Sequence, residues 1–121
     1  MKKTPSYDSL IVIFLDGVEK TKNIDYSDKS SIKKNNRGVD EYRKAAKKIG
    51  ELYPENINKF SNLLSSDDVQ TRLCCAICMI ELMNCSSEQQ DRAYSVVYEY
   101  HNNYADSAEK MMIEVWLKKN K

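Results

Sequence analysis

Residues 63–82, LLSSDDVQTRLCCAICMIEL, decide the fold class of this chain. A leucine pair closes one helix, Ser65-Ser66-Asp67-Asp68 turns the chain, and a second helix opens at Val69. Serine and aspartate ahead of an apolar run are helix-start chemistry, because their side-chain oxygens satisfy the amides that open a helix. The second helix is apolar nearly all round, which marks a helix enclosed by others. Val69, Leu73, Ala76, Ile77 and Ile80 form its expected core face, with cysteines and methionines beside it. A helical hairpin of this size cannot bury its own apolar faces, so it implies a stack of several helices.

Working outward, three glycines and two prolines in 121 residues favour long helices over a sheet of many tight turns. One helix is expected from Pro5 to about residue 22, with Thr4 as its cap. Its β-branched centre, Ile11-Val12-Ile13, also suits a strand, but no second run exists to pair with it. A long helix follows over 28–53, with Val39, Tyr42, Ala46 and Ile49 as its buried stripe and Pro54 as its stop. Gly38 interrupts it at a cost of about 1 kcal/mol relative to alanine, so a kink or two shorter helices stays open. Further helices are expected over 55–64, 88–100 and 106–117, the last burying Ala108, Met112 and Val115. The pairs 55–64/68–83 and 88–100/106–117 read as stacked hairpins, with 28–53 as lid or first layer. The expectation is a single all-α domain over 1–121, with about six helices and a basic tail at 118–121.

Composition bounds the function. With 41% hydrophobic and 31% charged residues, the chain reads as one soluble domain with a modest core. A net charge of +1 gives no bulk attraction to nucleic acid or anionic lipid. No stretch approaches the roughly 20 apolar residues of a membrane span. Lys2 and Lys3 ahead of the apolar run 10–15 faintly resemble a signal peptide. That run is short and bounded by Asp8 and Asp16, so a cytoplasmic location is expected. Cys74, Cys75, Cys78 and Cys85 fit reduced thiols. A zinc site would need His101 as a fourth ligand, and core packing by small thiols is the preferred reading. No metal and no cofactor is expected.

Catalysis is not visible either. A single histidine, no G-x-S-x-G and no glycine-rich phosphate loop leave no nucleophile with an evident base, so the chain reads as a non-enzyme. Candidate contact residues fall in two places. Asn36, Arg37 and Asp40 lie mid-helix, where asparagine is a poor helix former and implies either a buried hydrogen bond to a neighbouring turn or a partner contact. Tyr94, Tyr98 and His101 form a strip suited to interface anchors, or equally to the rim of the core. Arg72, with Asp67 or Asp68, is read as a brace for the turn ahead of Val69. Lys33, Lys34, Arg37, Arg43, Lys44, Lys47 and Lys48 supply an alternative, a basic face for nucleic acid, but interleaved acids make a solvated helix face the preferred reading.

Over residues 28–117 the chain resembles an uncharacterised bacterial family of small HEAT-like α-helical repeat proteins. The resemblance rests on Asn36-Arg37, residues 45–52, Asp67-Val69-Arg72 within LLSSDDVQTR, Ala76, Ala108 and Trp116-Leu117. Cysteines at 74 and 75 depart from the small or aromatic residues more usual there. The resemblance implies a right-handed α-α stack without enzymatic activity. Some members of this kind resemble immunity proteins encoded beside contact-dependent or Rhs-type toxins. The function then expected is a protein-binding module that neutralises a cognate toxin by occlusion.

Overall fold

The computed structural model describes residues 4–120. Among these the chain is all-α, with six α-helices and no strand: α1 Tyr7–Lys20, α2 Lys29–Leu52, α3 Ile57–Phe60, α4 Val69–Leu82, α5 Ser87–Asn103 and α6 Ser107–Asn120. The caps follow the short polar residues. Asp28 accepts from the Ser30 amide, and Asp68 accepts from Thr71. Ser86 and Gln89 exchange the two reciprocal hydrogen bonds of a capping box.

The start of α1 differs from expectation. Ser6, not Thr4, is the cap, accepting from the Ser9 amide at 3.1 Å. Pro5 therefore lies outside the helix, and its carbonyl accepts a hydrogen bond from the Tyr53 hydroxyl at 2.5 Å. That bond ties the leading segment to the end of α2. Residues 55–64 also differ: α3 is a single turn flanked by 3-10 segments, Pro54–Asn56 and Ser61–Ser65.

α1 and α2 form the most extensively packed pair, a partnership the sequence pairing had left unassigned. Their backbones touch at Gly17 and Gly38. A β-carbon built on Gly38 would stand 2.5 Å from the Gly17 carbonyl oxygen, and one on Gly17 would stand 2.7 Å from the Gly38 oxygen. Gly38 does not break α2, which runs unbroken for 24 residues. The glycine is there because the neighbouring helix leaves no room for a side chain.

The core runs from Tyr7, Leu10, Phe14 and Val18 of α1 through Ala46 and Ile49 of α2 to Phe60 and the centre of α4. Phe14 meets Tyr42 and Phe60 edge to face, with ring centroids 5.7 and 5.1 Å apart. In α4 the deepest side chains are Cys74, Cys75, Cys78 and Met79, with Ala76. Val69, Leu73, Ile77 and Ile80 are only half-buried, so the cysteine face, not the aliphatic one, is the centre of the bundle.

Candidate partner-binding surfaces

α6 turns the opposite way from its expected orientation. Ile113 is its buried anchor, with Trp116 and Leu117 half-buried beside it. Met111, Met112 and Val115 stay 66%, 71% and 66% exposed, and Ala108 is exposed too. The physical reason is that α6 carries two apolar stripes, and the one bearing tryptophan, isoleucine and leucine offers more area to bury.

Polar bonds secure that orientation. The Trp116 indole donates to Glu81 at 3.0 Å, the Tyr94 hydroxyl to the Asn120 carbonyl at 2.7 Å, and the Tyr100 hydroxyl to Glu109 at 2.7 Å. Beneath α6 lies an apolar cavity of about 210 Å³, lined by Leu73, Ile77, Val97, Met112, Ile113 and Trp116 among others. On its outer side Met111, Met112, Val115, Trp116 and Lys119 line an open groove of about 490 Å³. Three large apolar side chains mostly in water make a patch on the order of a few hundred Å², comparable to the largest apolar patch of a typical monomer, which is often functional.

The residues singled out from sequence are placed differently from one another. Asn36 and Arg37 are exposed, so the buried hydrogen bond expected of them is not made. Asn36 and Asp40 line a shallow groove of about 310 Å³ with Val39, Arg43, Lys47 and Leu82. Asp40 pairs with Lys44 at 2.9 Å and Arg43 with Glu81 at 3.3 Å, so the basic face of α2 is a mixed-charge one.

The Tyr94, Tyr98 and His101 strip does not stand free as a surface. Tyr94 and His101 are half-buried in the α5–α6 seam, where Tyr94 also packs on Trp116 and His101 Nε2 meets Glu114 at 2.8 Å. Tyr98 remains exposed. Glu114 first, then Asn102, hold the His101 imidazole above the usual histidine range.

At the turn ahead of α4, Arg72 donates to the Ser66 carbonyl at 2.8 Å and reaches Glu99 at 3.5 Å. Its guanidinium lies 5.8 Å from the Tyr104 ring centroid. Asp67 is exposed, and the carboxylate that organises the turn is Asp68, which receives the Thr71 amide and hydroxyl and the Lys22 ammonium. Val69 is half-buried at the first position of α4.

All four cysteines are buried and free. Burial pushes the Cys74 thiol up to about 11 and raises Cys75, Cys78 and Cys85 as well. Burial disfavours the thiolate, the form that attacks or ligates. The Cys75 and Cys85 thiols meet the backbone carbonyls of Phe60 and Met79 at 3.6 and 3.4 Å. Among the described residues no group of three or more metal-ligating side chains comes together.

One feature has no signal in the sequence. A cleft of about 550 Å³ opens where the 21–26 segment, α2, the start of α4 and the α5–α6 turn meet. Tyr26, Tyr42, Tyr100, Tyr104, Asp68 and Glu109 stand among its walls. These residues come from four separated segments, so no local pattern announces them.

Comparison with family models, with curated proteins and with solved structures finds no match to this chain. No helix among the described residues is long and apolar enough to cross a membrane.

Proposed function

We propose that this chain is a non-catalytic protein-binding module that presents the outer face of α6 to a protein partner. The observation that carries the reading is the uncovered apolar stripe Met111, Met112 and Val115, on a helix whose other face is anchored by Ile113 and by the Trp116 and Tyr94 hydrogen bonds. Flexible methionines suit such a surface, because they adapt to the shape of what covers them. The buried thiols pack the core, and those of Cys75 and Cys85 meet backbone carbonyls.

In its most concrete form the module is an immunity protein acting in the bacterial cytoplasm. It neutralises a contact-dependent or Rhs-type toxin by covering the toxin's active site or a neighbouring surface. The family resemblance supports this form. The test is co-expression with the product of the adjacent open reading frame, scoring co-purification and growth. A stable one-to-one complex that relieves toxicity is expected. A harmless neighbour that does not bind would remove the immunity reading for that pair.

A further inference from the structure

We propose that the cleft between the 21–26 segment and the α5–α6 turn is a receptor for a guanidinium group, carried on a partner's exposed arginine or on a free small molecule. Four of the chain's eight tyrosines converge on this one space. Its volume, about 550 Å³, falls within the range of small-ligand sites and is ample for an arginine side chain with its flanking backbone. Tyr26 is 78% exposed, so its ring is available to a ligand, while Tyr104 is 51% exposed with Arg72 and Tyr100 against its ring.

The charges on the walls select the sign of that ligand. Among the described residues Lys22 is the one basic residue lining the cleft, and it is committed to Asp68 and Glu19 at 3.0 Å each. Lys22 and Asp68 offset one another, and Arg72 beside the cleft is directed to the Ser66 carbonyl and Glu99, which leaves Glu109 as the remaining carboxylate on the walls. Glu109 is held in place: one oxygen accepts from the Tyr100 hydroxyl at 2.7 Å and the other from the Asp106 amide at 3.1 Å. Each carboxylate oxygen accepts more than one hydrogen bond, so both retain capacity for a bound donor.

An anion would meet Glu109 and be repelled. A neutral apolar ligand would leave Glu109, Asn35 and Gln70 without new partners. A cation with planar faces satisfies both kinds of wall, its faces on the tyrosine rings and its N–H groups on the carboxylate. Guanidinium suits this better than ammonium, because it is flat and less strongly hydrated. The molecule already uses the same chemistry beside the cleft, where the Arg72 guanidinium lies 5.8 Å from the Tyr104 ring.

The test is an NMR titration of the full chain with agmatine, with an end-blocked Ala-Arg-Ala peptide and with its lysine counterpart. Saturable shifts at cleft residues are expected, with agmatine binding on the order of millimolar as befits a fragment. The arginine peptide should bind about five-fold or more tighter than the lysine one. Similar affinity for agmatine and peptide would identify a small-molecule source, and a much tighter peptide a protein-borne arginine. Glu109→Gln keeps one acceptor oxygen, shared between Tyr100 and the Asp106 amide, and should weaken binding about ten-fold. Tyr26→Ala removes an exposed ring, leaves the core untouched and should weaken binding as well. Absence of saturable shifts, equal affinity for the two peptides, or indifference to both substitutions would overturn the proposal. Tyr26 lies on the 21–26 segment and not on α6, so failure of the proposal as read through Tyr26→Ala leaves the partner-binding reading standing, and the reverse holds.

Discussion

Gly38→Ala opposes two effects of known sign. Alanine is the better helix former by about 1 kcal/mol, so propensity alone predicts that the change stabilises α2. The structure predicts the contrary. The new methyl would lie 2.5 Å from the Gly17 carbonyl oxygen, 2.8 Å from the Lys20 β-carbon and 3.2 Å from the Thr21 methyl. The first of these is backbone of a packed helix and cannot rotate away. Restoring an ordinary carbon–oxygen separation of about 3.3 Å requires α1 and α2 to part by about 0.8 Å. A gap of that size forfeits about a quarter to a half of the dispersion energy along the seam. Overpacking of this severity costs about 3 kcal/mol, and subtracting the propensity gain leaves a net loss of about 2 kcal/mol. For a chain of this length that lowers Tm by about 6–12 °C. Urea unfolding followed by far-UV circular dichroism measures it, with unchanged m as the check that the transition stays two-state. Gly50→Ala is the internal control. There the nearest atom is the flexible Met83 side chain at 3.2 Å, so the change should stay within about 1 kcal/mol of the parent. Gly38→Ala at equal or higher midpoint than the parent would refute the close-packed crossing.

Other outcomes follow from the same structure. Asp68→Ala removes the α4 cap and the partner of Lys22, and should cost about 1–2 kcal/mol by chemical denaturation. The Glu114 partner raises the folded-state value of His101. The ion pair therefore adds stability that is full below the unfolded histidine value of about 6.5 and is lost as pH rises through the raised folded value. His101→Gln should flatten the Tm–pH profile in that window and leave it unchanged at higher pH. A thiol reagent such as Ellman's should react slowly with the native protein and with all four cysteines in denaturant, Cys85 being reached first because it lies nearest the surface.

The readable parts of this chain were those governed by local chemistry. Asp28 and Asp68 place the starts of α2 and α4, because capping depends on residues two or three apart. The all-α class followed from the apolar helix after the Ser-Ser-Asp-Asp turn and the scarcity of glycine and proline. The orientation of α6 did not follow, since Met112 with Val115 and Ile113 with Trp116 are two apolar stripes on one helix, and only the neighbouring Glu81 and Tyr94 decide between them. Gly38 looked like a flaw in α2 because its reason lies in α1. The sequence left open whether Tyr94 and His101 form a contact strip or the rim of the core, because their partners, Asn120 and Glu114, lie on the next helix. The tyrosine cleft was invisible for the same reason, its walls meeting only after folding.

The most direct measurement of the central claim is calorimetric titration of the adjacent gene's product with the parent chain and with the double variant Met111→Glu, Val115→Glu. Both side chains are exposed, so Tm should hold within a few degrees while affinity falls about 100-fold or more. An affinity unchanged by two carboxylates on that face would show that α6 is not where the partner docks.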